Sequence, residues 1–167
     1  LLLLPTMRRI INPYLRLEGY NCFGCCPDNP VGLHMEFFED GDDIVSFWRP
    51  QDYYQGWHGV MHGGILSTLV DEIAGWVVTR KLQTAGVTSR LNVSYIHPVK
   101  SSDSQLTIRA HISKQSHGFV FINVTISDSQ EQVCVEGEAV YRALPEETSR
   151  EMGFTHCDVD DEQLLSM

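Results

Sequence analysis

His62-Gly63-Gly64 followed by Asp71 is the constellation in this sequence best equipped for chemistry. Glycines at 63 and 64 leave their backbone N–H groups unobstructed, and the first N–H groups of a helix have no intrahelical partner. If a helix starts here, those amides and the positive end of its dipole face whatever lies in front of them. They can then hold a carbonyl oxygen and stabilise the oxyanion of a tetrahedral intermediate. Asp71, further along the same helix, would act as nucleophile or as general base for a water, its reactivity set by desolvation and neighbours. Helix geometry alone leaves the alternative open: a surface Asp beside Glu72, and two glycines that merely make a tight turn. At this spacing the features are more specific together than apart.

The element that must position these groups spans residues 65–82, which contain no proline. Leu66, Leu69, Val70, Ile73, Trp76 and Val77 recur at helical spacing and form a core stripe. Roughly opposite lie Gly64, Ser67, Thr68, Asp71, Gly75 and Val78, a face of small residues around one carboxylate. Such a face lets a backbone or a ligand approach closely. Glu72 points about 100° away from Asp71, toward Ile65 and Trp76, so the two carboxylates cannot face one substrate. Asp71 is preferred because its face is the small one. Arg80 and Lys81 fall in the last turn, where the dipole favours cations, and Gly86 is the expected stop.

Upstream, residues 33–39 and 44–48 read as a β-hairpin around Gly41-Asp42-Asp43. The loop 50–59 is aromatic, with Tyr53, Tyr54 and Trp57 placed either to cover a core or to line a groove. Beyond the helix the period changes to two. Residues 87–96, 105–113, 119–127 and 133–143 are strand-like, with Val120, Ile122, Val124 and Ile126 on one face and Val133, Val135, Gly137, Ala139 and Tyr141 facing similarly. Short turns between them predict an antiparallel meander. The expected class is α+β, one long helix packed on one face of an antiparallel sheet. Residues 145–167 read as a short helix and a loose acidic tail.

A chain of 167 residues with 43% hydrophobic and 20% charged residues suits one folded domain. No stretch reaches the roughly 20 apolar residues of a membrane span. Leu1-Leu2-Leu3-Leu4-Pro5 is short for a signal peptide, and Met7-Arg8-Arg9 reads as a start that makes residues 1–6 an upstream extension. The net charge of −10 argues against nucleic-acid binding, so an anionic ligand must meet a local basic patch or backbone dipoles. Five cysteines without a secretory signal suggest reduced thiols in a cytoplasm. Cys22 and Cys25 have the spacing of half a zinc or redox site. Zinc would need two further ligands, drawn from Cys26, His34, His156 and Cys157; free thiols are the default expectation, and no metal is expected.

His62-Gly63-Gly64, then Leu66, Leu69, Asp71 and Gly75, resemble the signature of hotdog-fold acyl-CoA thioesterases of the phenylacetate-degradation (PaaI-like) type. The resemblance continues through Val87-Thr88 to Tyr95 and Pro98-Val99, covering residues 32–143. Cys22-Phe23-Gly24-Cys25 and Asn29-Pro30-Val31-Gly32-Leu33 resemble a subgroup with a Cys-rich entry. It implies a curved antiparallel sheet wrapped around the central helix: an N-terminal extension (1–31), a hotdog domain (32–144) and a C-terminal tail (145–167). It further implies hydrolysis of an acyl-CoA at the interface of a homodimer, or of a dimer of dimers. No cofactor is expected, since coenzyme A enters only with the substrate.

Carried over residue by residue, Asp71 would be the catalytic carboxylate and the Gly63 and Gly64 amides would polarise the thioester, with His62 bracing their loop. Thr88 would orient the attacking water, with Ser89 as fallback. Where the family commonly has Asn this sequence has Gly56, leaving Gln55 or His58 to make that hydrogen bond. Tyr54 and Trp57, with Tyr53 and Trp76, are candidates to surround an aromatic or medium-chain acyl group. His97 and the turn at His117 stand where a basic residue is more usual, so Arg90, Lys100, Arg109 and Lys114 are the candidates for the phosphates. A second reading is a non-catalytic acyl-CoA sensor. A hydratase ranks last, because no His follows Asp71 before His97.

Overall fold

The computed structural model describes residues 6–165; Leu1 to Pro5, most of the expected upstream extension, lie outside the described residues. In chain order the elements are β1 (Thr6–Ile10), β2 (Phe38–Asp40), β3 (Asp43–Trp48), a single 3-10 turn (Asp52–Tyr54), α1 (Gly63–Val77), β4 (Gly86–Tyr95), β5 (Leu106–Ser116), β6 (Phe119–Ser127), β7 (Val133–Ala143), α2 (Glu146–Glu151) and β8 (Val159–Leu165). All strands join one sheet in the order β4-β7-β6-β5-β3-β2-β1-β8, and each adjacent pair runs antiparallel.

α1 lies on this sheet against β3, β4, β5, β6 and β7. Its expected stripe is the core: Leu66, Leu69, Val70, Ile73, Trp76 and Val77 are all buried, facing Ile108, Ile122, Val124, Ile126, Val135 and Ala139. Each fully buried aliphatic side chain contributes about 1.5–3 kcal/mol. The approach is closest at Gly137 on β7, where a Cβ would lie 2.7 Å from Val70 Cγ1. A side chain at that position would push the helix off the sheet. After Val77 the coil widens into a π-helical turn (Val78–Leu82) and ends at Gln83, whose φ of 52° is left-handed. The helix thus stops before Gly86, at a residue that terminates it without glycine. Arg80 and Lys81 in that turn both bond Glu39 of β2.

The expected four-strand meander is not what forms. β5, β6 and β7 do follow one another, but β4 pairs with β7 at the sheet's end and β3 pairs with β5. The reason is the helix: α1 carries the chain from β3 across the sheet's face, so β4 joins at the far edge. The C-terminal segment also departs from a loose tail. After α2, β8 pairs with β1 and extends the sheet on its other side.

The loop from Asn21 to Met35 is fixed by its own hydrogen bonds. Leu33 N–H donates to Phe23 O at 2.8 Å and Met35 N–H to Gly24 O at 2.9 Å. Trp48 Nε1 donates to Leu33 O and the Tyr54 hydroxyl to Gly32 O. The Asn-Pro-Val-Gly-Leu turn is therefore a clamp that lays the cysteine-bearing segment against α1. Among the described residues, no helix is long and apolar enough to cross a membrane.

Candidate active site

Asp71 sits at mid-helix on the small face of α1, half-buried, under the first residues of β4. Thr88 Oγ1 donates to its Oδ1 at 2.8 Å. The Tyr141 hydroxyl lies 2.8 Å from the same oxygen and 2.7 Å from the Asp71 carbonyl, so its one proton is shared between them. Burial, and then the nearby Asp71, push the Tyr141 phenol well above its ordinary pKa, which keeps it a donor. Gly75, one turn on, makes room for this ring: a Cβ there would lie 3.2 Å from the Tyr141 hydroxyl oxygen. Oδ2 of Asp71 has no hydrogen-bond partner among the described residues. The carboxylate is anchored at one oxygen and open at the other.

Thr88 reaches Asp71 because β4 carries a bulge. Thr88 pairs with Tyr141 and Arg90 with Val140, so Ser89 is an extra residue in the strand. A bulge re-aims side chains and is common beside functional sites. β4 is also an end strand of the sheet, so its outer edge is unpaired among the described residues. Val87, Thr88, Ser89 and Arg90 are all exposed there.

At the start of α1, His62 is the N-cap. Its Nδ1 accepts from Gly64 N–H at 2.9 Å, and its own N–H donates to Tyr54 O. The expectation that both glycine amides stand open therefore needs correction. The Gly64 amide is taken by the His62 ring, while Gly63 N–H has no partner among the described residues. The Gly63 carbonyl accepts from the Tyr95 hydroxyl at 2.8 Å, and Ser67 Oγ lies 2.5 Å from that same hydroxyl. Gly56 packs on His62, with a virtual Cβ 3.3 Å from its Cα. Gly56, Trp57, Met61, His62 and Gly63 line an open hollow of about 380 Å³ in front of the helix.

Other expected site residues are engaged elsewhere. Gln55 Oε1 accepts from Gly59 N–H at 2.8 Å and so braces its own loop. Tyr54 spends its hydroxyl on Gly32 and packs its ring on Trp48, which makes it structural. Trp76 is stacked on Phe37 in the core, whereas Trp57 is 84% exposed. Arg109 is held by Asp40 and Asp43, Lys114 covers the Phe121 ring, and Arg90 contacts Glu138 at 3.3 Å with both side chains well exposed. His117 forms the β5–β6 turn at φ 50° and bonds Ser116.

Tyr141 was hidden among core positions of β7. Its signal was that a tyrosine on a buried strand face must find a partner for its hydroxyl. Glu72 turns away from Asp71 as the helix angle requires, and meets Cys22 Sγ at 3.4 Å and Trp76 Nε1 at 3.2 Å. Burial, followed by the Cys22 sulfur, pushes its carboxyl up to about 7. The other suggested zinc ligands lie apart from this pair of cysteines. Cys26 Sγ bonds Tyr20 O, His34 bonds Asn29 O, His156 pairs with Asp158, and Cys157 is buried near Arg80. A cavity of about 500 Å³ runs from Cys22, Cys25 and Glu72 past Gly75 to Thr88 and Tyr141.

Residues 58–135 match the thioesterase superfamily. Acyl-coenzyme A thioesterase 13 of Mus musculus is 34% identical over 88 residues, which are 52% of this chain and 62% of that protein. The chain spans about three-fifths of the length of the curated relatives it matches. Among solved structures, a hypothetical thioesterase of Streptococcus pneumoniae with coenzyme A superposes with a TM-score of 0.61 at 25% identity, covering 66% of this chain and 85% of that one. A thioesterase superfamily protein of Shewanella loihica shares the fold at a TM-score of 0.60 and 19% identity, covering 76% and 96%.

Proposed function

From the match of residues 58–135 to the thioesterase superfamily and the similarity to acyl-coenzyme A thioesterase 13, we propose that this chain is a hotdog-fold thioesterase that hydrolyses an acyl-coenzyme A thioester to the free acid and coenzyme A. The observation that carries this reading is the half-anchored carboxylate. Oδ1 of Asp71 is fixed by Thr88 and Tyr141 while Oδ2 is left to act. Gly63 and Asp71 of one chain lie about 12 Å apart along α1, so in this reading the thioester carbonyl sits at the Gly63 N–H of a second copy, where the positive end of the helix dipole stabilises the negative charge that develops on oxygen. Oδ2 takes a proton from a water whose oxygen bonds the carbonyl carbon. The tetrahedral intermediate then expels the coenzyme A sulfur, which recovers that proton. His62, by capping the helix, and Tyr95, by bonding Gly63 O, keep the amide aimed.

The site lies at an open sheet edge. A second copy adding its own β4 there would satisfy the edge backbone and cover Asp71 from the other side. The acting species in this reading is a homodimer. Arg90, exposed on that strand, would be the cation that meets the coenzyme's phosphates. Five free thiols fit a reducing cytoplasm.

A panel of short, medium, long and aromatic acyl-CoA esters, followed by release of free thiol, tests the reading. Turnover of at least one ester supports it. Tight calorimetric binding with no thiol released from any ester would make the chain a sensor and overturn hydrolysis.

A further inference from the structure

On the side of α1 turned away from Asp71, Cys22, Cys25 and Glu72 bring their Sγ, Sγ and carboxylate oxygen atoms within 4.8 Å of one another. We propose that these three residues bind a zinc-class divalent cation, with a water from the adjoining cavity as fourth ligand. Zinc holds thiolate at about 2.3 Å and carboxylate at about 2.0–2.2 Å in tetrahedral geometry, which demands sulfur–oxygen edges of about 3.5 Å. The Cys22 Sγ–Glu72 Oε1 separation is 3.4 Å.

The surroundings are those of a ligand set held in place. Cys26 N–H donates to Cys22 O at 3.1 Å, which closes the turn that carries Cys22 and Cys25. The Tyr20 hydroxyl lies 3.0 Å from Cys25 Sγ, and Asn12 Nδ2 lies 3.9 Å from it. Trp76 Nε1 donates to the same Glu72 oxygen that Cys22 meets. Hydrogen bonds of this kind orient the ligands of a metal and tune them. Gly24 lets the loop close on the carboxylate, since a Cβ there would lie 2.3 Å from Glu72 Cδ. All three ligands line the 500 Å³ cavity, so the remaining coordination position is open to water. Two cysteines come from the N-terminal segment and the carboxylate from α1. The cation therefore ties that segment to the helix one residue from Asp71.

The test uses the reduced full chain, incubated with zinc and then desalted. Metal analysis is expected to find about one zinc per chain. Cobalt in its place is expected to give thiolate-to-metal charge-transfer bands and the visible bands of a tetrahedral site. Cys22→Ser should lose both, Cys134→Ser should lose neither, and Glu72→Gln should weaken zinc binding at least ten-fold. If Cys22→Ser fails to fold, the altered cobalt spectrum of Glu72→Gln decides. No zinc taken up by reduced protein, or full zinc retention in Cys22→Ser and Glu72→Gln, overturns the proposal. Metal content is read without turnover, so this site and the hydrolytic reading stand or fall separately.

Discussion

Thr88 and Tyr141 are partners across β4 and β7, and both of their hydroxyls end on the same oxygen of Asp71. One strand pair thus fixes the orientation of a carboxylate on the helix beneath it. The bulge at Ser89 makes this geometry available at the sheet's edge.

Removing either hydroxyl loosens the carboxylate without unfolding the chain. A hydrogen bond to a charged group is worth about 1.5–3 kcal/mol, so Tyr141→Phe and Thr88→Val should each lower kcat about 10–100-fold. KM should change little, because neither group is expected to touch the ester. The double variant should fall short of the product of the two effects, since both act through Oδ1. Steady-state kinetics on the preferred ester checks this; multiplicative effects would mean that the two hydroxyls act separately.

The open edge of β4 predicts a dimer. Light scattering should give twice the chain mass, and Val87→Lys, on the exposed edge, should shift the mass toward the monomer and reduce activity in parallel. Full activity in a strictly monomeric preparation would remove the partner copy from the site.

Much of this arrangement was legible in the residues. The stripe Leu66, Leu69, Val70, Ile73 and Trp76 marked the helix, because burial of one face enforces a 3.6-residue period. The β6 and β7 alternations marked the core face for the same reason at a period of two. What could not be read was long-range: that β4 pairs with β7, that Tyr141 turns to Asp71, and that Glu72 meets the Cys22 loop from fifty residues upstream. None of these contacts leaves a local pattern. The Ser89 bulge is equally silent, since it depends on the register of two strands rather than on one sequence.

The close approach of helix and sheet at Gly137 gives a stability test. Gly137→Ala would drive a methyl to within 2.7 Å of Val70 Cγ1 and should cost about 1–3 kcal/mol. Combining it with Val70→Ala should recover part of that loss, a coupling that urea unfolding of the four proteins measures. Simple additivity would place the strain elsewhere.

Glu39 predicts an acid dependence. Burial alone would raise its pKa, yet the Arg80 and Lys81 ion pairs outweigh that and hold it below its ordinary 4.5. A carboxylate depressed in the folded state adds stability above its unfolded value, and that stability is lost as pH falls through the folded value. Unfolding free energy should therefore decline below about pH 4.5, and Glu39→Gln should flatten that decline while lowering stability at neutral pH. Parallel pH curves for the two proteins would show that Glu39 is not the titrating group.

The most direct test of the hydrolytic account is single-turnover hydrolysis by Asp71→Asn, an isosteric change that keeps an acceptor for Thr88 and Tyr141 but removes the base. The account predicts a rate lowered by roughly 10²–10⁴, with unaltered mass, circular dichroism and ester binding. Hydrolysis at the unsubstituted rate would contradict it.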